Sequence, residues 1–180
     1  MGKPIQGQDG WTFDGRHAAF ADELNAALRY DAPGYFVGIS DGCCDRPAKE
    51  WYLNQIRLPL ERVTFSNIFV NANYRRFQKL DTSDMAIVAC EGGDYWVPED
   101  AMNSGFNLDR LVERLLSVDR PILVSAGPAS CILIHKYWQR AVKRQVIVDV
   151  GSAIDERTKG RKTRQYQVPG TRTSELCCGW

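Results

Sequence analysis

Short runs of β-branched and small apolar residues alternate along this chain with longer segments whose apolar residues recur at helical spacing. Strands separated by helical segments of that length cannot close as hairpins; they are joined by crossovers, which makes a sheet mostly parallel. The expected fold is α/β, a mostly parallel sheet of about five strands with helices on both faces.

The segments follow in order. Residues 14–30 place Phe20, Leu24, Ala27 and Leu28 on one helical face, and residues 35–40 form a first strand behind the Pro33-Gly34 turn. A helix over 49–58 stops at Pro59, a second strand covers 63–70, and a short basic helix covers 71–80. The third strand, 85–90, empties into a Gly-rich turn. Leu108, Leu111, Val112, Leu115 and Leu116 make an apolar stripe that ends before Pro121. Residues 122–125, 128–142 and 145–150 then read as strand, helix and strand. Beyond residue 150 the periodicity stops, so residues 151–180 are expected to be a functional loop and a tail that wraps back. A chain of 180 residues is the size of a single domain, here 1–180.

Charge and composition narrow the classes. With a formal net charge of +1, 44% hydrophobic and 25% charged residues, the chain is neither disordered nor a polyelectrolyte. Nucleic acid is therefore the least favoured partner, although a basic run from Arg157 to Arg172 keeps it as a third reading. No apolar run approaches the roughly 20 residues that cross a bilayer. The first residues lack the apolar core of a secretory signal, so a cytoplasmic location is expected. The cysteines, Cys43-Cys44, Cys90, Cys131 and Cys177-Cys178, show no C-x-x-C spacing and are expected to be reduced thiols. Absence of G-x-S-x-G, Walker-type phosphate-loop, H-E-x-x-H and complete G-x-G-x-x-G patterns disfavours the enzymes built on them.

Two turns stand out as candidate sites. The fourth strand ends in Ser125-Ala126-Gly127-Pro128 and a helix begins at once, which presents free N–H groups and a helix dipole at a carboxyl edge, where α/β sheets bind phosphates. The fifth ends in Asp149-Val150-Gly151-Ser152-Ala153-Ile154-Asp155, whose carboxylates and hydroxyl suit a ribose, a sugar or a cation escorting a diphosphate. Each has a plain alternative: Gly-Pro makes a good β–α turn, and Asp149 and Asp155 serve as local caps. Within the basic run, Lys159, Arg161, Lys162 and Arg164 surround Tyr166; an arginine there can pair bidentately with a diphosphate, or the run is simply a solvated tail. Asp9 and Asp14 fall in turn-rich stretches that Asx-turns and capping explain, Asp41 and Asp45 are placed in a loop after the first strand, at a carboxyl edge that is a natural site position, and His17 reads as a surface or packing residue.

Taken together, Asp9-Gly10, Tyr35-Phe36-Val37-Gly38-Ile39, Met85-Ala86-Ile87-Val88, the two turns, Thr163-Arg164-Gln165-Tyr166 and Cys178-Gly179-Trp180 resemble, in that order, the bacterial and viral glycosyltransferases of the GT-D fold. The resemblance implies a Rossmann-like single domain that takes a nucleoside-diphosphate sugar, with Mn²⁺ or Mg²⁺, and passes the sugar to a glycan or other hydroxyl acceptor. It implies that Gly127, Pro128, Gly151, Ser152, Arg164 and Tyr166 border the nucleotide. It gives Asp149 and Asp155 catalytic roles, and Asp9 and Asp155 metal roles. The family's acidic Asp-Gly-Glu motif normally precedes the Asp-Gly pair, whereas only eight residues, none acidic, precede Asp9. Either the chain is a shortened version or it holds the metal differently, and a non-catalytic nucleotide-sugar-binding or assembly protein is the second reading. The sequence leaves a homo-oligomer open.

Overall fold

The structure, a computed structural model, describes residues 5–6, 12–13, 18–39, 42–56, 58–101 and 104–176. A short antiparallel pair, β1 (Ile5–Gln6) and β2 (Thr12–Phe13), precedes helix α1 (Ala18–Leu28). Strand β3 (Val37–Ile39), helix α2 (Gly42–Ile56), strand β4 (Val63–Phe65) and the single turn α3 (Tyr74–Phe77) follow. Then come β5 (Ala86–Ala89), β6 (Tyr95–Trp96), α4 (Leu108–Leu115), β7 (Ile122–Ser125), α5 (Ala129–Arg140), β8 (Ile147–Asp149) and α6 (Asp155–Lys159).

The class is α/β, and every pairing from β3 onward is parallel. The strands do not form one sheet of about five, however. They divide into a two-stranded sheet, β3-β4, and a four-stranded sheet in the order β6-β5-β7-β8. One cause lies in the second expected strand: it runs only Val63–Phe65 before Ser66–Phe69 and Asn71–Asn73 curl into 3₁₀ turns. Asn73 Nδ2 donates to Asn67 O at 3.3 Å there, a local bond of the kind that competes with a ladder. The basic helix expected over 71–80 shrinks to α3, behind Asn71 at a left-handed φ of +54° that an α-helix does not continue through, while β7 covers the residues its sequence predicts.

Packing of the larger sheet explains its continuous apolar strands. Ala86, Val88, Ile122 and Val124 face α4 and α5, and Ile87, Ala89 and Leu123 face Val150, Ile154, Phe69 and Phe77 on the other side. A parallel strand covered on both faces has no polar side to show, hence the unbroken Ile-Leu-Val of β7. Helix α4 buries Leu108, Leu111, Val112 and Leu115, each 7% exposed or less, at the i, i+3, i+4, i+7 spacing of one helical face. Each such burial contributes about 2 kcal/mol before entropy is counted. Asn107 starts the helix by accepting the Arg110 N–H through Oδ1 at 3.0 Å.

Helix α5 joins the two sheets, because its Ile134 and Trp138 pack against the apolar clusters of both. Its Lys136 fastens three helices, with Nζ at 2.9 Å from Glu23 Oε1 of α1 and 3.0 Å from Asp109 Oδ2 of α4. Beyond β8 the described chain returns to the residues before α3: Ala72 N–H donates to Leu176 O at 3.2 Å and Arg75 pairs with Glu175. Among the described residues no helix is long and apolar enough to cross a membrane.

Candidate functional site

Strands β7 and β8 are neighbours, with Val124 opposite Asp149, so the turns that leave their carboxyl ends emerge side by side. Gly127 and Gly151 both take left-handed backbone angles, φ +54° and +49°, which only glycine adopts freely. Each chain therefore turns sharply away from the strand end, and both glycines line a single cleft of about 1310 Å³. Residues of β3 and β4 form part of its lining, so the gap between the two sheets is the cleft itself.

Six of the candidate residues line this cleft: Gly127, Asp149, Gly151, Ser152, Asp155 and Arg164. Pro128 and Tyr166 support it from outside its lining. Pro128, at φ −60°, sets the first turn of α5, where its missing N–H loses nothing. The turn before it is fastened by Ser130, whose Oγ accepts Ala126 N–H at 3.0 Å and whose N–H donates to Gly127 O at 2.9 Å. Tyr166 braces the neighbouring turn, its hydroxyl 2.7 Å from Ser152 Oγ and its ring edge-on to Tyr74. Asp9, Asp14, His17, Asp41, Cys177 and Cys178 lie outside the described residues.

Asp149 and Asp155 differ more than their sequence positions suggest. Asp155 is 2% exposed; its Oδ2 accepts the Thr163 hydroxyl and its Oδ1 lies 3.3 Å from Lys159 Nζ, one helical turn on. That contact is an ion pair off the hydrogen-bonding line, so Oδ1 is buried without a hydrogen bond. A carboxylate taken out of water needs such a counter-charge. Asp149, in contrast, is exposed to the cleft and yet surrounded by as much protein as a core group, as a side chain on a cleft floor must be. Desolvation pushes its pKa up to about 6, against hydrogen bonds from Gly151 N–H and the Ser130 hydroxyl.

The sign of that shift makes a prediction. A carboxyl whose pKa rises from 3.8 to about 6 on folding resists ionisation in the folded state. The penalty is absent below pH 3.8, grows through the interval and is complete above about 6. Asp149→Asn is expected to stabilise the protein at pH 7.5 by on the order of 1 kcal/mol, the full linkage value being reduced because solvent reaches the group. Urea denaturation at pH 4 and pH 7.5 checks this: the gain should shrink to about a fifth at pH 4, and a pH-independent gain would contradict the assigned shift.

Two residues that sequence reasoning did not single out complete the site. Gln167, 2% exposed, accepts Thr163 N–H and Arg164 N–H on Oε1 at 2.7 and 2.9 Å and donates through Nε2 to Ser152 O at 2.7 Å. It thereby ties the segment carrying Arg164 to the turn carrying Ser152. Lys159, noted only as part of a basic run, lines the cleft beside Asp155. The same run is not a free cationic stripe, since Lys159 pairs with Asp155 and Lys162 with Glu156. Among the described residues, no three His, Cys, Asp or Glu side chains converge as metal ligands would. Cys90 and Cys131 line the cleft as free, half-buried thiols, with burial holding Cys131 protonated at a pKa of about 12.

No known protein family, curated protein or solved structure matches the chain.

Proposed function

We propose that this chain is a Rossmann-like glycosyltransferase that moves a sugar from a nucleoside-diphosphate sugar to a hydroxyl acceptor. The observation that carries the reading is the convergence of Gly127 and Gly151, at the ends of adjacent parallel strands, on one deep cleft. A diphosphate placed between them meets the amino-terminal end of the 12-residue helix α5 and the cations Lys159 and Arg164. As the bond from the anomeric carbon to the diphosphate breaks, these groups receive the negative charge that develops on the leaving oxygen.

The incoming hydroxyl must lose a proton as its oxygen bonds to that carbon. Asp149 is suited to accept it, being open to the cleft with a pKa near the working range. Asp155, the other carboxylate of the pair, instead holds Lys159 and Thr163. Its commitment also argues against its serving as a ligand for Mn²⁺ or Mg²⁺, and the second residue of that assignment, Asp9, is outside the described residues.

Calorimetric titration with UDP-, GDP- and TDP-sugars tests the reading, followed by an assay for release of the nucleoside diphosphate. At least one donor is expected to bind, and Arg164→Gln should weaken it about 10-fold or more, the worth of a hydrogen bond to a charged group. No binding by any of the donors would remove the assignment. Binding without sugar transfer or donor hydrolysis selects the second reading, a non-catalytic nucleotide-sugar-binding protein, which the engagement of Asp155 favours.

A further inference from the structure

Strand β8 carries backbone groups on its outer edge that no described residue bonds. Ile122 N–H donates to Val146 O at 2.8 Å and Val150 N–H to Val124 O at 2.9 Å, with Ile122 opposite Ile147 and Val124 opposite Asp149. In a parallel ladder alternate residues bond the same neighbour. Residues 146, 148 and 150 therefore turn toward β7, and the N–H and C=O of Ile147 and Asp149 turn the other way. β8 is the last strand of its sheet, and among the described residues none bonds those groups.

An open edge of this kind ordinarily lies at the surface or is covered. Here residues 146–150 line the interior of the cleft. Backbone groups in such a place need a partner, from solvent or from a ligand.

We propose that the main chain of Ile147 reads the nucleobase of the bound nucleotide, an inference that rests on the nucleotide-sugar reading above; Asp149, whose carboxylate accepts Gly151 N–H at 2.9 Å, lies nearer the phosphate turn. Three features favour a base. An extended residue offers its N–H and C=O side by side in one plane, and a base edge with an adjacent donor and acceptor complements that pair. Ile147 lies four residues before Gly151, with the strand ending at Asp149 and Val150 turning, a separation of at most about 13 Å that is comparable with the reach of a nucleotide from terminal phosphate to base. Phe36 and Val146, 57% and 64% exposed, line the same cleft and offer the faces of a flat heterocycle an apolar surface. Because the readers are main-chain groups, recognition of the base does not depend on the side chain at 147.

Amide hydrogen exchange resolved at single residues tests the proposal on the full chain. In the free protein the Ile147 and Asp149 amides should exchange fast while Val150, bonded to β7, exchanges slowly. Whichever of UDP, GDP or TDP binds should slow Ile147 by about 10-fold or more. Ribose 5-diphosphate, which lacks a base, should bind more weakly and leave Ile147 unchanged. Ile147→Pro supplies an independent arm: its N–H is not part of the β7 ladder, so the variant loses a cleft donor without losing a sheet bond, and it should lower nucleotide affinity more than ribose 5-diphosphate affinity.

The proposal is overturned, with the nucleotide reading intact, if a nucleotide binds and the Ile147 amide is unchanged, or if ribose 5-diphosphate slows it equally. It is also overturned if that amide is already slow in the free protein, which would mean that another segment closes onto the edge. Failure of all three nucleotides to bind overturns both readings together.

Discussion

Gly92→Ala is expected to destabilise the protein by about 3–5 kcal/mol, the sum of steric overpacking and a strained backbone. A Cβ on Gly92 would stand 2.0 Å from the carbonyl oxygen of Thr158, and the residue sits at φ +63°, where side chains are disfavoured. The clashing atom belongs to the backbone of α6, so it cannot rotate away like a side-chain tip. Relief requires moving the helix that carries Asp155 and Lys159, and the variant should lose ligand affinity even at temperatures where it remains folded. Gly105→Ala is the control: at φ +68° it has comparable backbone strain, but a Cβ there meets nothing within 4 Å, and its cost is expected to be about 1 kcal/mol. Urea denaturation of the two variants measures the difference, and equal costs would contradict the close approach of Gly92 to α6.

Gln167→Ala is expected to cost about 3–4 kcal/mol and to release the segment bearing Arg164 from the cleft. The side chain makes three hydrogen bonds to backbone groups and is 2% exposed, so truncation leaves Thr163 N–H, Arg164 N–H and Ser152 O without that partner. Each unmade bond in such a setting costs on the order of 1 kcal/mol, and the emptied volume adds to it. Gln167→Met keeps most of the volume and should recover only the packing share. Chemical denaturation gives the stability change, and faster exchange of the Thr163 and Arg164 amides reports the release. Unchanged exchange in Gln167→Ala would mean that the loop is held by other contacts.

These two residues show where sequence reading stopped. The glycine after Glu91 and the glutamine after Tyr166 belong to a turn and a tail, and no periodicity distinguishes them from solvated loop residues. Their importance comes from contacts across 66 positions for Gly92 with Thr158 and across 15 for Gln167 with Ser152. The different fates of Asp149 and Asp155 were equally hidden, because one is a cleft-floor acid and the other half of an ion pair only once Lys159 and Thr163 are placed.

What the sequence determined by itself was local and periodic. The Leu108–Leu115 stripe produced an amphipathic helix, and the unbroken apolar run of β7 produced a strand covered on both faces. Gly127 and Gly151 marked the turns that needed left-handed backbone. Tertiary structure decided the rest: that the parallel strands divide into two sheets, that the gap between them is the cleft, and that β8 presents an open edge within it. The physical reason is that propensity and hydrophobic pattern act over a few residues, whereas the partner of a strand edge or of a buried charge is chosen by which distant segments can pack together without leaving polar groups unmatched.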